Sequence, residues 1–142
     1  MTVEKSNVAN LIVKQTQTEV GTLHFFEHIA VVEFNEGTHI DLISVGKTLS
    51  DILTYFGDSK PFGIIANRVN SYSISLLDIK DARQALPNLA AYGIVSYNSA
   101  SRMSAEIESS FCYWEDICFD NLYQGLEVVY KRVKNKANIS LN

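Results

Sequence analysis

The chain has 142 residues, a length suited to one domain, and 46% of them are hydrophobic, enough for a core without metal or disulfide staples. A net charge of −4 argues against general affinity for nucleic acid or anionic membrane. The sequence holds no apolar run of the ~18 residues that a bilayer requires. Residues 1–10 are charged with no apolar stretch after them, so neither a membrane span nor a signal peptide is expected, and the cytoplasm is the expected compartment.

Residues 1–14 are weakly patterned, with Leu11, Ile12 and Val13 as the stretch that would add an edge strand. Residues 22–26 and 29–34 are β-favouring runs separated by Glu27 and His28, which predicts an antiparallel hairpin, closed off by Asn35, Glu36 and Gly37. Leu42, Val45, Leu49, Ile52, Leu53 and Phe56 recur at spacings of three and four, the pattern of an amphipathic helix, with Asp41 as N-cap and Gly57 as stop. Residues 62–66, Phe-Gly-Ile-Ile-Ala, are too short an apolar run for a helix and read as a strand buried on both faces.

Ser75 is placed to cap a second helix carrying Leu76, Leu77, Ile79, Ala82 and Leu86, which Pro87 ends. Residues 89–97 give another buried strand, and Asn98 or Ser99 starts a helix through Met103, Ile107 and Phe111. Ile117, Cys118 and Phe119 form a short strand, and Asp120 caps a last helix through Leu122, Leu126, Val129 and Tyr130, with fraying from residue 135. Alternation of this kind predicts an α/β fold: a largely parallel sheet with an antiparallel hairpin at its N-terminal edge and helices packed on it. One domain spans residues 1–142, with its core in 21–133 and weak structure in 1–14 and 135–142.

Several local patterns suggest chemistry that their context removes. His24-Phe-Phe-Glu-His28 spells a zinc-protease pattern, but that chemistry needs a helix. On a strand, residues four apart lie roughly 13 Å from each other, too far to share a metal. Gly46-Lys-Thr48 resembles the end of a phosphate-binding loop, yet the earlier glycine is replaced by Asp41 and the triplet falls within a helical pattern. Cys112 and Cys118 sit among aromatic residues and read as buried thiols. No catalytic, cofactor or metal residues are assigned.

The loop after the 62–66 strand is the first candidate for a working surface, because ligands and partners meet open α/β sheets just past the carboxyl ends of such strands. It carries Asn67, Arg68, Asn70, Ser71, Ser73 and Ser75, with hydroxyls beside a helix N-terminus where an anion, including phosphate on the serine itself, is favoured. These six residues are the candidates for partner contact or phosphate acceptance.

The order of elements from residue 21 to 133 resembles the SpoIIAA-like group, which includes the anti-sigma-factor-antagonist (STAS) domains and bacterial STAS-like proteins of unassigned function. The resemblance rests on Ile29-Ala-Val-Val-Glu-Phe34 followed by Asn35-Glu-Gly37, on Ile40-Asp-Leu42, on Arg68-Val-Asn-Ser-Tyr-Ser73 and on Ser99-Ala-Ser-Arg-Met103. It implies a superhelix of β-α units and a non-enzymatic regulatory or protein-interaction module. Antagonist domains of the group resemble one another in an Asp-Ser pair opening the second helix, with the serine phosphorylated by a partner kinase. Here the matching positions are Ser73 and Ile74, with Ser75 next and no glycine following.

The expected partner is therefore another protein or a second copy of the chain, a homodimer being compatible with an open sheet edge at the first strand. The alternative is a carrier for a small apolar ligand or lipid, with Phe25, Phe26, Tyr55, Phe56, Phe111, Trp114 and Tyr130 lining its pocket.

Overall fold

The computed structural model describes residues 1–112 and 117–141, with backbone alone for Cys112, Ile117 and residues 138–141. Among the described residues a 3-10 turn, Ala9–Leu11, precedes β1 Lys14–Thr18, β2 Gly21–Phe25, β3 Ile29–Phe34, β4 His39–Ile40 and α1 Gly46–Phe56. There follow β5 Phe62–Arg68, β6 Ser73–Ile74, α2 Leu76–Gln84, β7 Leu89–Ser96, α3 Ser99–Cys112, β8 Ile117–Phe119 and α4 Leu122–Leu141. Six strands form one sheet in the order β1-β2-β3-β5-β7-β8, and β4 pairs with β6 in a small second sheet. The β1–β2 and β2–β3 pairs are antiparallel and the β3–β5, β5–β7 and β7–β8 pairs parallel, giving a mixed α/β fold with the expected N-terminal hairpin.

Strand alternation divides the core between two faces. Phe25, Val32, Phe34, Ile64, Ala66 and Ile94 meet α1, α2 and Ala105 of α3 on one side, while Val31, Ile65 and Val95 meet Val129 and Val133 of α4 on the other. β5 lies between β3 and β7 and is buried at every position, which is why its sequence is a continuous apolar run rather than an alternation. A Cβ on Gly93 would lie 3.1 Å from Val129 Cγ2 and 3.2 Å from Phe119 Cε2, so glycine there is what lets α4 lie close on the sheet.

The structure corrects several boundaries. The edge strand is β1 at 14–18 rather than 11–13, because Thr16 and Thr18 pair against β2 while residues 9–11 close a 3-10 turn. Helix α1 begins at Gly46 and not at Asp41. Asp41 instead caps a preceding turn: its Oδ1 accepts the Ser44 N–H at 2.8 Å, and Ser44 Oγ accepts the Asp41 N–H at 2.9 Å. Asn121, not Asp120, caps α4, accepting the Gln124 N–H at 2.9 Å, while Asp120 pairs with Arg102. The α4 backbone stays helical to Leu141, beyond the expected fraying point. Met103, Ile107 and Phe111, expected to bind α3 to the core, face solvent, and the buried side of that helix carries Ala105 and Glu108.

Residues 1–14 are tied to the body of the fold rather than loose: Val3 is fully buried. Cys118 is half-buried and packs against the core. Tyr113 and Trp114 lie outside the described residues, as does the side chain of Cys112.

Candidate functional site

Polar side chains gather where β3, β5 and β7 end. Alternation sends them to the two faces, so two separate clusters form.

On the α4 face, one row crosses four neighbouring strands. His24 of β2 donates from Nε2 to Glu33 Oε1 of β3 at 2.7 Å. Asn67 Nδ2 of β5 donates to Glu33 Oε2 at 2.7 Å, and the Tyr97 hydroxyl, just past β7, donates to Asn67 Oδ1 at 2.6 Å. The Val3 N–H reaches Glu33 Oε2 at 2.9 Å. Burial alone would raise the Glu33 carboxyl, but hydrogen bonds from His24, Val3 and Asn67 outweigh it and hold the group below the ordinary carboxylate range. Burial, reinforced by the Glu33 charge, pushes the Tyr97 hydroxyl up to about 12 despite its bond to Asn67.

On the opposite face, Arg68 at the end of β5 pairs with Glu108 of α3, both buried, and its guanidinium carbon stands 5.6 Å from the Tyr72 ring centroid. Arg68 Nε has no partner. Burial alone would lower the Arg68 pKa, but Tyr72 and Glu108 reverse this and raise it.

Beyond these buried groups the loops 35–41 and 69–75 are zipped together. Gly37 N–H donates to the Ser71 carbonyl at 2.8 Å, Ser73 N–H to Thr38 at 3.0 Å and Ser75 N–H to Ile40 at 2.8 Å. Ser71 N–H also donates to Glu36 Oε2 at 2.7 Å, and Asn70 Nδ2 to the Phe34 carbonyl at 3.0 Å. His39 Nδ1 stands 2.7 Å from Ser73 Oγ.

The six loop candidates thus divide. Asn70, Ser71 and Ser73 lie exposed on the rim, and Ser75 is half-buried at the start of α2. Asn67 and Arg68 belong to β5 and are buried: Arg68 stands against the Tyr72 ring of the loop, whereas Asn67 turns to the other face and joins the Glu33 row. The helix N-termini on this side also carry apolar side chains in water: Leu42 and Ile43 before α1, Leu77 in α2 and Met103 in α3, with Ile43 92% exposed.

Sequence reasoning missed Glu33, His39, Tyr97 and Glu108, and it named His24 only within the rejected zinc pattern. A signal existed for Glu33, a lone carboxylate in an otherwise apolar strand, which requires a buried partner. The partner of His24 proved to be Glu33 across the hairpin. His28 is in the turn, 3.7 Å from Glu27. Among the described residues no three His, Cys, Asp or Glu side chains gather as a metal set, and no helix is long and apolar enough to cross a membrane.

The aromatic residues separate by position. Phe25, Tyr55, Phe56 and Phe62 pack together, Phe56 stacked on Phe62 at 4.5 Å and the other pairs tilted or edge-on. Phe111 faces solvent, and Trp114 lies outside the described residues. The cavity between α1, α2 and the sheet measures about 70 Å³. Phe26 and Tyr130 line a groove of about 400 Å³ between α4 and residues 8–13.

No protein-family model, curated protein or solved structure matches the chain.

Proposed function

We propose that this protein is a non-enzymatic STAS-like regulatory module that works by protein–protein contact, using the rim formed by loops 35–45 and 69–77. The observation that carries this reading is the exposure of Leu42 and Ile43 before α1 and of Leu77 at the start of α2, Ile43 being 92% exposed. A hydrogen bond of 3.1 Å from Leu42 N–H to Asp78 Oδ2 joins the entrances of the two helices that carry these side chains. Apolar side chains ringed by polar groups are the composition of an interface core. Phosphate on Ser73 would face His39 and the first turn of α2, and would change the charge of the rim.

The test is site-specific photo-crosslinking in the native host, with the reactive residue at 43, at 77 or, as control, at the exposed position 131 of α4, on the other face of the sheet. One partner polypeptide captured from 43 and 77 but not from 131 supports the reading; no adduct, or the same adducts from all three, rejects it. Phosphosite mapping of the same material should mark Ser71, Ser73 or Ser75 if the rim is also a switch.

A second reading, a carrier of a small apolar ligand, is favoured by the groove beside Phe26 and Tyr130, whose volume of about 400 Å³ falls within the range of small-molecule sites. The 70 Å³ cavity under α1 is too small for any such cargo. Co-purified apolar mass in native mass spectrometry supports the carrier, and a clean apo mass rejects it.

A further inference from the structure

Residues 1–6 lie across the α4 face as a strap, and the polar row holds them almost entirely by backbone. Glu33 Oε2 takes the Val3 N–H at 2.9 Å, Asn67 Nδ2 donates to the Met1 carbonyl at 2.9 Å, and the Tyr97 hydroxyl stands 3.2 Å from that same oxygen. The Val3 side chain is wholly enclosed in the cluster that holds Val31, Ile65 and Val95. The notch therefore reads a backbone carbonyl and, two residues on, an N–H together with a small apolar side chain.

Three features separate this notch from an ordinary packing contact. The row is joined without the strap, through the bonds His24–Glu33, Glu33–Asn67 and Asn67–Tyr97, so its donors and acceptor stay aligned when the strap leaves. Of the strap's other side chains, Lys5 is exposed, Glu4 is exposed and accepts from Gln15 Nε2 at 2.6 Å, and the buried Ser6 hydroxyl is satisfied within the strap by the Val3 carbonyl at 2.6 Å. The link from the strap to β1, residues 7–13, contains no fully buried residue; Val8 and Ile12 pack only partly against the cluster that holds Val3, and the Asn7 N–H donates to the Tyr123 hydroxyl at 3.0 Å, so little beyond these contacts holds it.

We propose that this notch is a peptide-binding site, filled in cis by residues 1–6 and able to take in exchange a partner protein's segment carrying a small apolar side chain two residues after the carbonyl that Asn67 binds. The strap then acts as a built-in competitor. The site lies on the opposite face of the sheet from Arg68 and the serine rim, and it stands whether or not that rim binds anything.

The test uses the full chain carrying Val3→Asp, which puts a carboxylate in the apolar seat beside Glu33 and frees the strap. The probe is a peptide of residues 1–8 labelled at its C-terminus and followed by fluorescence anisotropy. The variant should bind the probe at least ~10-fold more tightly than the wild type; such a ratio corresponds to about 1.4 kcal/mol. Adding Asn67→Ala, or methylating the Val3 nitrogen of the probe, should abolish binding. A folded variant that binds no better than wild type, or that ignores the methylation, overturns the proposal.

Hydrogen exchange on the wild type decides the matter if the variant does not fold. A Val3 amide exchanging well ahead of the amides of β3 and β5 supports a detachable strap, and exchange in step with them overturns it. A wild-type dimer that excess probe splits into monomers would make a second copy the occupant, and so overturn the assignment to a partner protein.

Discussion

His24 and Glu33 are diagonal neighbours across the β2–β3 pair, and their side chains meet at 2.7 Å where both are buried. The contact ties β2 to β3, the first strand of the parallel part of the sheet, and the Glu33 carboxylate also accepts from Asn67 and the Val3 N–H.

Glu33 sets an acid limit on stability. Its pKa is lower folded than unfolded, so its contribution is present above the ordinary carboxylate value and is lost as pH falls through the lowered folded value. Urea titrations between neutral pH and pH ~3 should show a loss of stability that Glu33→Gln flattens. At neutral pH Glu33→Ala should cost on the order of 3 kcal/mol, since it strands His24 and Asn67 without their acceptor.

Arg68 and Glu108 form the second buried pair, and neither strand nor helix residue is expected to tolerate loss of the other. Arg68→Met should destabilise by about 3 kcal/mol. With Glu108→Leu in a double-mutant cycle, the coupling should be about 2 kcal/mol; additive losses would mean that the pair does not join β5 to α3.

The apolar cavity of about 70 Å³ has room for added carbon. Val32→Ile extends into it from β3 while keeping a β-branched side chain in a strand, so it should stabilise by about 0.8 kcal/mol, read as a higher urea midpoint with an unchanged slope.

The two sides of α3 should respond in opposite ways to substitution. Ile107 is 58% exposed, and Ile107→Lys should stay within about 0.5 kcal/mol of wild type. Ala105 is wholly buried against the sheet, and Ala105→Leu should cost roughly 1–3 kcal/mol through overpacking. Thermal melts of the two variants distinguish this orientation of the helix from the one its apolar spacing predicts.

The larger elements were legible because each had an unambiguous period: the apolar run 62–66 could only be a strand covered on both sides, and Leu49, Ile52 and Phe56 could only share a helical face. The α3 face was not legible, because the helix buries alanine and a paired glutamate and leaves Met103, Ile107 and Phe111 outside, which inverts the usual pattern. The β4–β6 pair was invisible because two-residue strands leave no period. The polar row depended on register: alternation places His24, Glu33, Asn67 and Tyr97 on one face, but only the observed strand order brings them side by side. The serine loop was visible as a sequence feature, but its neighbour His39 was not, because it comes from a loop some thirty residues earlier that the β4–β6 pairing draws alongside.

Each strand of the large sheet sits beside the one made just before it, so strand–helix units can dock in turn as the chain emerges during synthesis. Residues 1–6 break that sequence. Val3 has no seat until β3 and β5 are paired and Tyr97 has been added, so a segment made before the sheet is one that settles only once most of the sheet is built.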